Sequence, residues 1–265
     1  AAVGYREIQA RLTRPGTLRF IEARTSEILG LPVKIAKVRY LPPARISLQK
    51  IQVGTSSQGA SFSILEIRKL VLGYGVINLF RRDFTLPGRV TLERPQIRFA
   101  RTGNRSPISE SLFSLAKTIP AALYLKEGEF RYQWGEGAKD LVLEKVRFEA
   151  HANLRGQISL KFNCRLAGIG EGRIEVAGVS DPQFRKYRLQ IRLKDINFSK
   201  ESGLPLKDLQ GELLLTEKLI EIKDLKGLFH DWEVQWKGRV EDWQTSPKIL
   251  LGFQHKKGKS PFELK

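Results

Sequence analysis

Cysteine, histidine and methionine are nearly missing from this chain: its 265 residues hold one cysteine, three histidines and no methionine. A lone Cys164 cannot close an internal disulfide, and metal centres built from several thiolates are excluded. His151, His230 and His255 lie far apart, with no two at metal-ligand spacing. Long apolar runs are missing as well. The longest uncharged apolar stretch, Leu70 to Phe80, falls well short of the roughly 20 residues a membrane-spanning helix needs. Without an initiator methionine the chain reads as a processed or partial product.

Signatures of catalysis are equally scarce. There is no Gly-x-Ser-x-Gly element. Gly168-Ile-Gly-Glu-Gly172 lacks the strand-to-helix setting and the Lys-Ser/Thr of a phosphate loop, and reads as a hairpin connection. His230-Asp231 precedes an alternating Trp232-Glu-Val-Gln-Trp236 segment and reads as a turn. Cys164 sits mid-strand on an apolar face with no histidine nearby in sequence, the setting of a packing cysteine. The expectation is a protein that is not an enzyme and carries no metal and no cofactor.

What the chain has is charge of one sign. Lys and Arg number 46 against 28 Asp and Glu, a net +18 with a pI near 10.1. The surplus is concentrated early: residues 1–105 carry 19 basic and 6 acidic residues, and residues 106–265 carry 27 and 22. Such a balance points to anionic partners. Nucleic-acid binding would interleave exposed aromatics with the basic residues. Here most aromatics alternate with charges and so fall on the opposite face. Anionic lipid headgroups fit better, with an acidic protein face as the competing partner.

Period-two alternation is the strongest pattern, the mark of strands with one apolar face. Ile158, Leu160, Phe162, Cys164 and Leu166 alternate with polar residues, as do Tyr187, Leu189, Ile191 and Leu193. Shorter runs are Val33/Ile35, Ile97/Phe99, Phe130/Tyr132/Trp134, Val146/Phe148, Ile174/Val176 and Trp232/Val234/Trp236. Turn residues punctuate them at Pro42-Pro43, Pro87-Gly88, Gly135 and Gly137, Gly168 to Gly172, and Asp181-Pro182. From about residue 122 onward the chain reads as consecutive antiparallel strands. Two helices are predicted in the first part. One covers about 15–29, with Thr13 as cap, Pro15 in the first turn and Gly30 at the stop; the other covers 107–118 after Ser106 and Pro107. A weaker helical turn covers Val76 to Arg81.

A tetrapeptide recurs along the strands. Leu48-Gln-Lys-Ile51, Leu143-Glu-Lys-Val146, Leu193-Lys-Asp-Ile196, Leu206-Lys-Asp-Leu209 and Ile222-Lys-Asp-Leu225 all read aliphatic, any residue, Lys or Asp, aliphatic. A two-residue break in alternation changes which side chains face inward, so these are read as bulges or strand starts.

The succession Pro15-Gly-Thr-Leu-Arg-Phe-Ile-Glu22, Gly30-Leu-Pro-Val33, Pro42-Pro-Ala-Arg-Ile-Ser-Leu-Gln-Lys-Ile-Gln-Val-Gly54, Phe62-Ser-Ile-Leu-Glu-Ile-Arg-Lys-Leu-Val-Leu72 and Val90-Thr-Leu-Glu-Arg-Pro-Gln-Ile-Arg-Phe99 resembles the amino-terminal domain of the bacterial AsmA-like proteins. These are relatives of TamB and of the chorein-type bridge-like lipid-transfer proteins. The Lys-Asp-Leu repeats of the later half resemble their strand array. The resemblance implies a mainly β fold: a long twisted antiparallel sheet forming an open hydrophobic groove, with N-terminal helices packed at one end. Residues 1–120 would be an AsmA-like, chorein-like α+β cap and residues 121–265 a repeating antiparallel groove segment. It also implies a periplasmic location, an inner-membrane helix preceding this region, and phospholipid transport between the inner and outer membranes. Alternation alone leaves the choice between an open trough and a closed β-sandwich undecided. The sandwich would serve as a basic binding module for nucleic acid or an acidic protein.

The residues expected to line the groove are Phe62, Ile64, Phe99, Phe130, Tyr132 and Trp134 in the first half. Phe148, Leu160, Phe162, Leu189, Ile191 and Trp236 continue it in the second. Arg6, Arg11, Arg14, Arg19, Arg24, Arg81 and Arg82 are expected to meet the anionic membrane surface.

Overall fold

A computed structural model of the chain describes residues 6, 9, 10, 12–29, 32–54, 63–74, 88–100, 122–133, 140–152, 156–198, 205–230, 232–243, 246–255 and 262–264. The protein is mainly β and divides into two compact units, Ala1–Ala138 and Lys139–Lys265. Each is a single layer of strands that does not close on itself, and strand order follows chain order.

The first unit holds helix α1 (Pro15–Leu29) and strands β1 (Val33–Leu41), β2 (Arg45–Val53), β3 (Ser63–Gly73), β4 (Arg89–Ala100) and β5 (Ala122–Gln133). The predicted first helix is present. Its expected cap is not: the Thr13 hydroxyl donates back to the carbonyls of Gln9 and Ala10, and the first turn of α1 closes on the Arg14 carbonyl. Strands β1 to β4 pair antiparallel, but β5 runs parallel to β4, with Leu92 opposite Leu125 and Ile97 opposite Phe130. That pairing is why β5 belongs to the first unit. The predicted helix at 107–118 and the turn at 76–81 lie outside the described residues.

Among the described residues no strand pairs with the outer edge of β1, and side chains occupy it instead. Ser26 Oγ accepts from the Val33 N–H (2.9 Å) and Glu22 Oε1 from the Ile35 N–H (2.7 Å). Gln9 takes the Tyr40 N–H (2.8 Å) and donates to the Val38 carbonyl (3.3 Å). Leu12, Leu18 and Ile21 meanwhile pack against the cluster of Val33, Ile35, Val38, Leu48, Ile51, Val53 and Ile67. The helical segment thus closes the sheet with its polar residues and feeds the core with its apolar ones.

The second unit is all strand among its described residues: β6 (Leu141–Ala152), β7 (Ile158–Gly168), β8 (Gly170–Ser180), β9 (Tyr187–Phe198), β10 (Leu206–Thr216), β11 (Leu219–Phe229), β12 (Trp232–Glu241), β13 (Lys248–His255) and β14 (Phe262–Leu264). Every neighbouring pair is antiparallel. Among the described residues no second sheet faces this layer, so it is not a sandwich.

Four of the five recurring tetrapeptides are bulges, and the copy in β2 pairs on both sides without a shift. Lys50, Lys145, Asp195 and Asp208, each third in its copy, have φ near +50°, a left-handed conformation that restores the apolar face three positions on. Pairing shifts by one residue at the copies in β6, β9, β10 and β11. In the first unit the break crosses the whole sheet in register. Ile35/Val38, Leu48/Ile51, Ile67/Leu70, Leu92/Pro95 and Leu125/Gly128 stand on five successive strands, with Arg94 and Glu127 also left-handed.

Candidate functional site

In the second unit alternation places every second side chain on one face, and antiparallel register stacks these into rows across the strands. One row runs Phe148, Phe162, Val176, Ile191, Leu213, Ile222, Gly238, Leu251, Leu264, one residue from each of the nine strands. A second runs Ala150, Leu160, Gly178, Leu189, Leu215, Ile220, Val240, Ile249. A third runs Cys164, Ile174, Leu193, Gly211, Leu225, Trp236, Phe253, Phe262. The three form an uninterrupted apolar band. With strands about 4.8 Å apart, eight steps give a path of roughly 38 Å.

Burial along this band is graded. Val146, Ala150, Cys164 and Leu166 in β6 and β7 are almost fully buried, whereas no described hydrophobic side chain of β11 to β13 is. Phe229 is 43% exposed, Ile249 55% and Trp232 63%. Apolar surface is therefore left open where the strand series ends. A large exposed patch on an otherwise charged protein marks an interaction site.

The opposite face is wet and ion-paired. Lys194 bonds Glu175 (2.7 Å), Arg192 bonds Glu212 (2.7 Å) and Lys226 bonds Asp224 (2.9 Å). The Lys194 hydrogen bond holds the Glu175 carboxyl below the usual carboxylate range. Hydrogen bonds from Gln190 and Arg192 do the same for Glu212, and those from Lys226 and Gln235 for Asp224.

Cys164 lies in the band, 3% exposed, with its thiol pushed up to about 11 by burial against a smaller opposing effect of the Ile174 backbone. The thiol is therefore both covered and protonated near neutrality. Native protein at pH 8 should react with Ellman's reagent at least about 100-fold more slowly than urea-unfolded protein. Equal rates would place Cys164 at the surface.

The expected groove residues divide clearly. Phe148, Leu160, Phe162, Leu189, Ile191 and Trp236 all stand on the one apolar band of the second unit. In the first unit Phe130 and Tyr132 are half-buried, and they share register rows with Ile97 and Phe99. Ile64 pairs with Arg98, one step out of phase with Leu65, so its register position belongs to the row of charges. The alternation was counted from the wrong residue there. Phe62 and Trp134 lie outside the described residues. Of the arginines, Arg6, Arg14 and Arg19 are exposed, with Phe20 beside them 70% exposed. Arg24 is placed in α1 by its backbone alone, and Arg11, Arg81 and Arg82 lie outside the described residues. Sequence reasoning missed Leu213, Leu215, Ile220, Ile222, Leu225 and Val240, which fill the band between Ile191 and Trp236. Ile220-Glu221-Ile222 carried a period-two signal, whereas Leu213-Leu214-Leu215 is apolar in both phases and carried none.

Among the described residues no group of three or more His, Cys, Asp and Glu side chains could hold a metal ion, and no helix is long and apolar enough to cross a membrane. Comparison with protein-family models and with curated proteins finds no match.

Proposed function

We propose that this chain is a non-enzymatic lipid-binding segment of an envelope transport protein, carrying phospholipid acyl chains along the apolar band of its sheet. The observation that carries this reading is the band itself: three apolar rows crossing successive strands of one open layer, with no second sheet among the described residues to cover them. An acyl chain lying across it would gain about 0.8 kcal/mol per buried CH₂ without needing specific polar contacts. The resemblance to AsmA-like proteins supports the same reading. It adds the periplasmic setting, the inner-membrane anchor and the two membranes as donor and acceptor.

Lipid extraction and native mass spectrometry of purified protein should show co-purifying phospholipid. A photo-crosslinking residue at Phe162 or Trp236 should label it. An Ile220→Glu/Ile249→Glu variant, altered on the more open part of the band, should stay folded and lose most of it. Absence of both lipid and crosslink would sink the proposal. Fluorescence anisotropy with single-stranded and duplex DNA tests the rival class, since tight, steeply salt-dependent binding belongs to a nucleic-acid module.

Arg6, Arg14 and Arg19, with exposed Phe20, support an anionic membrane as the partner of the first unit. Each arginine near such a surface is worth about 1 kcal/mol, or roughly fivefold in binding. Flotation with anionic liposomes should weaken with salt and fall by about that factor for each Arg→Gln change. Equal flotation with neutral liposomes would rule out this role.

A further inference from the structure

The wet face of the second unit carries an arrangement that the lipid reading does not use. Register places Glu144, Arg165, Arg173 and Lys194 side by side on β6 to β9, so three cations stand directly opposite one another on consecutive strands. Like charges so placed repel. Lys194 is bonded to Glu175, but Arg165 and Arg173 form no ion pair with any described residue. Arg147 and Lys161, exposed like the two arginines, are also without an ion pair among the described residues. Arg147, Lys161, Arg165, Arg173 and Lys194 line one cleft of about 870 Å³, together with Lys145, Asn163 and Asn197; Glu144 is not part of its wall. The acids in its wall are Glu171, Glu175 and Asp195, three against six cations. Bulges at Lys145 and Asp195 stand on its two outer strands, β6 and β9, with β7 and β8 between them.

We infer that this cleft is an anion site for a phosphate group carrying two or more negative charges. Cross-strand partners have Cβ atoms about 5 Å apart. Two guanidinium groups rooted at that spacing can both donate to one tetrahedral oxyanion, each through the forked N–H groups that match phosphate oxygens. Arg165 and Arg173 form the central pair, Arg147 and Lys161 supply further donors, and Asn163 offers a neutral amide beside them. Bound phosphate would remove the repulsion that the unliganded row maintains. The charged side chains of the cleft alternate with those of the apolar band, whose Phe162, Cys164 and Val176 also border it; the inference does not need the lipid proposal.

The full chain is titrated with pyrophosphate at constant ionic strength, following its melting temperature and the heat of binding. Saturable stabilisation is expected, absent with matched chloride. Arg165→Gln and Arg173→Gln should each weaken binding about tenfold, and the double variant should abolish it. Without ligand these variants should melt at or above the wild-type temperature, because repulsion is relieved. Arg185→Gln, on the β8–β9 turn, should bind like wild type. Flotation with phosphatidic acid vesicles, compared with phosphatidylcholine alone, distinguishes the source. Vesicle binding that needs Arg165 and Arg173, without pyrophosphate binding, assigns the phosphate to a lipid headgroup; pyrophosphate binding assigns it to a free ligand. If neither probe binds, or if binding survives the double replacement, no such site exists.

Discussion

Replacing Gly211 with alanine is expected to cost the protein about 3 kcal/mol, read as a fall in urea midpoint at unchanged slope. Two independent reasons converge on this glycine. Its φ is +152°, outside the region open to L side chains. A Cβ built there would lie 2.0 Å from the Asp224 carbonyl oxygen and 2.7 Å from the Leu225 Cα, both main-chain atoms that cannot swing away. The clash arises where Gly211 packs directly against the main chain of β11, opposite Leu225 and next to the bulge. Gly156 provides the control: its φ is +71°, but nothing lies within 4 Å of its Cβ position. Gly156→Ala should therefore cost only about 1 kcal/mol. Hydrogen exchange should show lost protection in β10 and β11 for Gly211→Ala alone. Equal losses for the two variants would mean that backbone strain, and not the bulge, sets the effect.

Val146→Asp should be more damaging still, by about 3–5 kcal/mol at pH 8, because Val146 is 0% exposed and the new carboxylate would have no partner in the band. The pH response is diagnostic. Burial would hold this carboxyl above the unfolded value of about 3.9, so the folded state would bind its proton more tightly than the unfolded chain. Stability of the variant should rise as pH falls through the folded pKa toward the unfolded one. The wild type should show the opposite slope. Glu175, Glu212 and Asp224 are depressed by their hydrogen bonds, so what they contribute is present above the unfolded pKa and lost as pH falls through the folded values. Urea titrations between pH 8 and 5 should show recovery for Val146→Asp and none for Val146→Asn. A pH-independent loss in the aspartate variant would show that water reaches this position.

The strands were legible because alternation is a direct consequence of having one apolar face, and the register rows of the second unit collect the residues alternation had marked. The bulges were legible too, since a charged residue between aliphatic positions three apart has no place in a straight strand. The same break at Ile35/Val38 and Ile67/Leu70 went unnoticed, although Ile35-Ala-Lys-Val38 and Ile67-Arg-Lys-Leu70 both fit the tetrapeptide. Direction was not legible: a strand's pattern reads the same parallel or antiparallel, so the β4–β5 pairing leaves no mark on either sequence. Phase failed at Ile64, where two aliphatic neighbours made both faces look apolar. The edge-binding roles of Gln9, Glu22 and Ser26 were hidden because they are polar helix residues whose partners are main-chain groups. Gly172 looked like part of a hairpin turn. It stands inside β8, opposite the β9 bulge, where a Cβ would meet Ile196 Cδ1 at 2.6 Å.

A β-sheet edge is an invitation to polymerise, because its outward N–H and C=O groups will accept any extended chain that arrives. At β1 those groups are already occupied by Ser26, Glu22 and Gln9. An incoming strand would have to strip three side chains from their partners before forming its own ladder. The sheet of the first unit thus begins at a sealed margin, and strands can be gained or lost in evolution only away from it. In a layer that adds its strands in chain order, inserting a hairpin widens that layer by two strand spacings and leaves the margin untouched.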